Sequence, residues 1–591
     1  MSENHQTDGS MTERVPISRR VWFLGLAFLL GLHLLMFLFA GPYFEASDDM
    51  AYTANAYHWS IGTFKLTPHV FDNRFTVFVP IAYFFKWFGF GLSAVVLWPL
   101  ICSLSLITLL YAFATRLFGW KSAIVAATLL AANPLQIEHV LTVNNDVILS
   151  FFIVASLTTV YFGRMLTTPL HQFLAGALFV ILFTCGFLAK MSMVWFIPMI
   201  VFLMGRDWLK QTRNRPFWLT VALLGAMSAF LHFYLYYLFT GDFLYPIHGV
   251  EKMLDATTFG AGSPMAREYG KFIGDGAMLA YLKRLTYEPV VLFLESPGAS
   301  LVLLLALPVI LQSLFSASSW PRPTRYWVAG LGLFLIGFWF GSISLKHYLP
   351  LSLTYRYLVP MLPFLSLLGG LLLVQWIEPS QESAPASRFA LWSTVLLLLA
   401  GIGASQWLRL FKFQHITLLM VLVTLWTARR VLPEAWLGTR KFAALSWGLL
   451  LVTIVLIPLR LIQSGMLGQS EDQRLEMTLW HRHLEGQQPG IRIYTDYRSS
   501  KALPVMLGFP DKNRLTFIDW RIETPPDGHS DLGDGKIYVY VNRKRLQGLT
   551  NSYRYQPPSF VQNPPAWWTQ VAAGHGITLY EIRNALSGKP K

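Results

Sequence analysis

From residue 21 onward the chain alternates between apolar runs of about 20 residues and short polar segments, and the pattern holds to about residue 460. A run of that length crosses about 30 Å of hydrocarbon as one helix. About thirteen runs fit the description: 21–40, 92–115, 122–140, 147–161, 171–188, 191–204, 217–240, 300–315, 326–344, 357–377, 389–407, 416–427 and 442–459. A shorter stretch, 75–88, is interrupted by Pro80 and Lys86 and reads as interfacial or re-entrant. The first run follows a polar tail, residues 1–20, that ends in Arg19-Arg20. It is longer than the core of a cleaved secretory signal, so it is expected to stay as the first span.

After residue 464 the pattern changes to polar sequence with short alternating segments. Strands are expected at 491–495, 515–518, 536–541 and 577–582, with a helix at 499–507 in which Pro504 is out of place. Residues 465–591 therefore read as a small α/β domain. Trp567-Trp568 packs its core on this reading, with the membrane interface as the alternative.

Composition narrows the class. Only 13% of the 591 residues are charged and 54% are hydrophobic, about half the charged share of a soluble domain. The net charge of +15 does not indicate nucleic acid, because Lys and Arg sit in short clusters between apolar runs. Anionic lipid head groups are the partners implied. Placing 116–121, 206–215, 322–325 and 429–441 in the cytoplasm puts the N-terminal tail there too. The loops 41–91, 141–146 and 241–298 and the C-terminal domain then lie outside. The expectation is a multi-pass protein of the cell (inner) membrane with its chemistry on the extracytoplasmic side. Cys102 and Cys185 both lie in apolar runs, so no disulfide framework or paired-cysteine metal site is available.

Ionisable groups collect on that outer side. Ser47 or Asp48 can cap a helix that starts just after the first span. On it Asp48, Tyr52, Asn55 and Trp59 form one stripe, while Asp49 points about 100° away. One carboxylate then faces a cleft and its neighbour braces the helix or holds a cation. A solvated, helix-capping acidic loop is the plainer alternative. Asp146 can cap the helix that follows Asn144-Asn145. Lys190, between two runs, can snorkel to the interface or meet an anionic head group. Arg356 runs against the charge bias on the outer side, and a phosphate suits its planar fork of donors.

Asp48-Asp49-x-x-Tyr52, Asn144-Asn145-Asp146, Leu188-Ala189-Lys190 and Arg356-Tyr357-Leu358-Val359-Pro360-x-x-Pro363 occur in that order on one face. Together they resemble the GT-C glycosyltransferases, in particular the lipid A aminoarabinose transferase and protein O-mannosyltransferase group. The resemblance implies a mainly α, polytopic membrane domain over 21–464. It also implies a polyprenyl-phosphate-linked sugar as donor, a lipid, glycan or protein acceptor, and inverting transfer outside the membrane. Asp48 would be the general base, with Asp49 and Asp146 assisting. Lys190, Arg356 and Arg74 would hold the donor phosphate, and Tyr52, Asn55, Asn145 and Tyr357 would line the substrate site. A divalent cation, if used, would be held by Asp49 and His248. One segment departs from the pattern: Asp72-Asn73-Arg74-Phe75 stands where the aminoarabinose transferases have a Glu-Lys-Pro-Pro-like stretch. The acid is kept; the lysine and prolines are not.

The chemistry asks for these groups independently. A carboxylate can deprotonate an acceptor, and Arg or Lys can stabilise a leaving phosphate. The alternatives are a transporter or flippase of lipid-linked sugars, and a lipid-linked sugar polymerase or ligase. Transport is disfavoured because neither mid-membrane acids nor related halves are visible.

Overall fold

The computed structural model describes residues 18–44, 48–67, 70–210, 214–258, 277–296, 298–315, 322–342, 344–346, 348–351, 353–377, 440–464, 490–507, 515–526, 536–543, 545–547, 556–574 and 576–582, with scattered positions between 395 and 480 and at 550. Helix α1 (Arg19–Ala40) starts where Ser18 Oγ accepts from the Val21 N–H at 3.3 Å. Then come α2 (Asp48–Ser60), a 3-10 turn at Val70–Asn73, α3 (Phe75–Phe88), α4 (Leu92–Phe118), α5 (Trp120–Ala131) and α6 (Pro134–Val140). The chain continues through α7 (Asn145–Gly163), α8 (Pro169–Ala189), a 3-10 turn at Met191–Phe196, α9 (Ile197–Lys210) and α10 (Arg215–Thr240). Among its described residues the long outer loop expected at 241–298 holds α11 (Tyr245–Thr258) and α12 (Ala277–Glu295). After α13 (Ala299–Phe315) and α14 (Arg322–Phe340), a 3-10 turn at Tyr355–Met361 runs into α15 (Leu362–Ile377), and α16 (Arg440–Gln463) ends the apolar part.

Among the described residues eight helices are long and apolar enough to cross a membrane, or nine if α5 and α6 form one span. The runs 389–407 and 416–427 fall largely outside the described residues. The run 122–140 is not one straight helix, because α5 and α6 meet at 55°. Asn133-Pro134 accounts for the break. Proline lacks an N–H and keeps the residue before it out of helical geometry, yet suits the first position of a new helix. Asn133 Oδ1 caps that helix by accepting from the Leu135 N–H at 3.0 Å.

The spans differ in where they sit. In the Tyr355–Ile377 span 89% of the apolar window is buried, and in α7 78%, against 17% in α10. The first two form the centre of the bundle and α10 turns its side chains outward. Small residues let the central helices close up: a Cβ on Gly370 of α15 would lie 2.8 Å from Ala126 of α5.

The C-terminal segment builds β1 (Ile491–Thr495), α17 (Tyr497–Met506), β2 (Leu515–Asp519), β3 (Ile537–Asn542), β4 (Trp568–Gly574) and β5 (Ile577–Ile582). They form one sheet in the order β2-β1-β3-β5-β4. β1 runs parallel to β2 and β3, whereas β5 is antiparallel to β3 and β4. Four strands are those read from the sequence. The fifth, β4, escapes that reading because Trp-Thr-Gln-Val-Ala-Ala-Gly carries no clean alternation and contains a bulge between Gln570 and Ala572. Helix α17 begins two residues before the expected 499–507 because Asp496 caps it, Oδ1 accepting from the Ser499 N–H at 3.0 Å. Trp568 packs in the domain core against Phe560 and Tyr580. On the other side of the sheet Ala502, Leu503, Val505 and Met506 share one buried cluster with Tyr52 and Ala56, so α17 rests on α2.

Candidate active site

The first turn of α2 carries Asp48 and Asp49, where unpaired N–H groups favour negative charge. The two side chains part. Asp49 is buried, and its Oδ1 accepts from the Met50 N–H at 3.0 Å. Asp48 stays partly open, and its Oδ2 meets Arg356 Nη1 at 2.8 Å. The stripe expected along α2 is thus split by function of contact, with Asp48 on the open side.

One turn later Tyr52 is fully buried, and its hydroxyl accepts from Arg74 Nη1. The guanidinium also lies 5.2 Å from the Phe71 ring centroid. Burial pushes the Tyr52 phenol far above its usual range, and the nearby Arg74 offsets part of this. No carboxylate among the described residues pairs with Arg74. It lines a small cleft with Asn73, Phe187, Met191, His232 and Pro246. Asn55 Nδ2 donates to Asp72 Oδ1 at 2.9 Å, while Asp72 Oδ2 accepts from the Thr67 N–H at 2.9 Å and the Thr67 hydroxyl at 2.6 Å. Asp72 therefore ties the segment before α3 to α2 and fixes where Arg74 starts. Sequence reasoning noted only that an acid was kept there.

A second group forms where α7 begins. The cap of this helix is Asn144 and not Asp146, which lies inside its first turn: Asn144 Oδ1 accepts from the Asp146 N–H at 2.8 Å. Asp146 is buried, and its Oδ1 takes the Lys190 ammonium. Lys190 is the one residue between α8 and the following 3-10 turn, and Asn145 Nδ2 fixes that end of α8 by donating to the Ala189 carbonyl at 3.4 Å. Burial pushes the Lys190 ammonium down to about 8, with Asp146 partly offsetting the shift. Its Nζ lies 3.8 Å from the Tyr357 ring centroid, a favourable place for a cation. The Tyr357 hydroxyl accepts from Arg356 Nη2 at 3.2 Å. Tyr357 thus joins both cations, and one run of contacts leads from Asp146 through Lys190, Tyr357 and Arg356 to Asp48.

The expected cation site is not assembled. His248 Nδ1 pairs with Asp242 Oδ2 at 2.7 Å and not with Asp49. No three His, Cys, Asp or Glu side chains converge among the described residues. Among the described residues Asp49 and His248 therefore form no shared donor set for a cation.

Residues 75–236 match the family model for dolichyl-phosphate-mannose-protein mannosyltransferase. No curated protein sequence matches the chain. Over 97% of this chain and all of the other, the structure matches ArnT from Cupriavidus metallidurans bound to undecaprenyl phosphate, with 15% identity and a TM-score of 0.56. The apo state of the same protein matches with 13% identity and a TM-score of 0.52, over 96% of this chain and 99% of that one. The chain has the GT-C fold. The apo oligosaccharyltransferase of Archaeoglobus fulgidus matches with 11% identity and a TM-score of 0.49, over 94% of this chain and 73% of that one. The resemblance drawn from four short motifs is borne out at the level of this GT-C fold, and the ArnT match also spans the C-terminal sheet.

Proposed function

We propose that the protein is a glycosyltransferase that moves a sugar from a polyprenyl-phosphate donor to an envelope acceptor on the outer face of the cytoplasmic membrane. The carrying observation is the 2.8 Å contact between Asp48 and Arg356, which puts a carboxylate beside a guanidinium suited to phosphate. The match to ArnT bound to undecaprenyl phosphate and the mannosyltransferase family model support a lipid-phosphate donor.

In the reaction an acceptor oxygen attacks the anomeric carbon as the bond from that carbon to the phosphate oxygen breaks. Attack from the face opposite the phosphate inverts the centre. The acceptor proton passes to Asp48, and the new charge on the leaving phosphate is taken up by Arg356, Lys190 and Arg74. Arg74 suits the lipid end, since its cleft pairs one cation with the apolar Phe187 and Met191. Asn55, bound to Asp72, and Asn145, bound to the α8 end, position neighbours of the substrate.

Turnover of a radiolabelled polyprenyl-phosphate sugar by purified protein in nanodiscs tests the reading. Asp48→Asn keeps volume and removes the base, so turnover should fall on the order of 10² or more. Near wild-type turnover in Asp48→Asn with a dead Asp49→Asn would move the base to Asp49. Full activity in both would make the acids structural and reopen transport.

A further inference from the structure

Near the second group of residues sits a buried histidine that the proposed reaction does not use. His139, on α6, is 3% exposed. Its ring stacks on Tyr355 at 6.2 Å between centroids, next in sequence to Arg356. Its Nδ1 lies 3.3 Å from Asn144 Nδ2.

The helix cap decides which ring nitrogen carries the proton. Asn144 must turn its oxygen to the Asp146 N–H, since only an oxygen can accept there. Its other end is then an NH₂ group, which donates to His139 Nδ1. A nitrogen that accepts cannot also carry the proton, so in the neutral ring the proton sits on Nε2. That Nε2–H is buried and has no hydrogen-bond partner. A buried donor left unanswered is destabilising. Arg356 Nε is a second buried donor without a partner, so two unanswered donors belong to residues joined through Tyr355. The His139 ring lies in the field of Arg356 and Lys190 as well as of Asp146, whose Oδ2 is itself buried without a partner. The two donors fit an anionic oxygen brought by a ligand.

We propose that His139 is a further residue of the donor-phosphate site, resting on the function above. As the Nε2–H tautomer set by Asn144, it donates a hydrogen bond to a phosphate oxygen of the lipid carrier. Its role is to hold the phosphate, without proton transfer.

Undecaprenyl phosphate binding to the full chain in nanodiscs tests this, with thermal melting measured alongside. His139→Leu removes the donor and should weaken binding tenfold or more. His139→Gln can supply an amide N–H and should bind within about threefold of wild type. Wild-type affinity in His139→Leu would overturn the inference and leave the function standing. Equal weakening in both variants, with equally lowered melting, would make His139 a packing residue and overturn it too. A wild-type chain that binds no undecaprenyl phosphate would bring down the function and this inference together.

Discussion

At the scale of single residues, the pair between Asp48 and Arg356 is a resting contact that donor can open. Its side chains are 26% and 31% exposed, and pairs of that kind contribute only about 0–1 kcal/mol. A charge-assisted bond from guanidinium to phosphate is worth about 1.5–3 kcal/mol. On the proposed function phosphate competes with Asp48 for Arg356, and displacement would free the carboxylate to meet the acceptor. Asp48→Asn should then bind undecaprenyl phosphate as well as wild type or better. Arg356→Ala should bind it at least tenfold more weakly, with Arg356→Lys in between because an ammonium lacks the fork. Weaker binding in Asp48→Asn would count against displacement.

Lys190 and Asp146 need a different design, because both are buried. Removing one leaves an uncompensated charge, at about 3–5 kcal/mol. Lys190→Met should melt well below wild type, and Lys190→Met/Asp146→Asn should recover most of the loss while staying poor in turnover. Recovery of turnover as well would limit the pair to structure. The pH dependence has a definite sign. The Lys190 pKa in the folded chain, about 8, lies below its unfolded value of about 10.4. Its burial thus opposes folding fully below 8, and that opposition fades as pH rises toward 10.4. Phosphate binding goes the other way: it uses the charged form and should weaken as pH rises through 8 to 9. Titration of undecaprenyl phosphate affinity against pH checks this, and a flat profile would remove Lys190 from the phosphate site.

At the scale of elements, what was legible depended on how local the cause is. Helix α2 follows from a 3.6-residue period, which put Asp48, Tyr52 and Asn55 on one element. The expected cap Ser47 lies outside the described residues, and Asp48 opens the helix with its side chain on Arg356. The partners of those residues were not legible. Asp146 meets Lys190 across 44 positions and Asp48 meets Arg356 across 308, separations that no local pattern carries. The break between α5 and α6 was missed although Asn133-Pro134 announced it, because the apolar run continues through it. Gly298 then completes the corner. It has φ +83°, and a Cβ on it would lie 2.6 Å from Pro134 Cδ and 2.9 Å from Asn133 Oδ1. Gly298→Ala should therefore destabilise by on the order of 2–3 kcal/mol. Turnover should drop as well, because α6 leads to His139 and Asp146. Gly225→Ala, where a Cβ meets nothing within 4 Å, is the control and should melt within a degree or two of wild type. Equal melting of the two variants would show that the corner tolerates the clash.

At the scale of the whole molecule, the C-terminal sheet is a support for α2. Its existence was visible in the change of composition after residue 464, and four of its strands were visible in their alternation. Its contact with α2 was not, because apolar residues such as Leu503 and Met506 look alike whether they face their own sheet or another domain. The sheet has two faces with separate cores: Leu503 lies in the cluster shared with Tyr52 and Ala56, and Leu546 lies in the cluster with Trp520 and Trp568. Both leucines are buried, so truncation to alanine should destabilise the domain comparably, by about 2–5 kcal/mol. Their effects on catalysis should differ. Leu503→Ala loosens the surface on which α2 rests and lets Asp48 drift from its place, where a 1 Å error can cost on the order of 10² in rate. Turnover should fall at least tenfold. Leu546→Ala, measured well below its melting temperature, should turn over within about twofold of wild type. Equal loss in both variants would mean that the sheet acts only through overall stability, and that α2 holds its position without it.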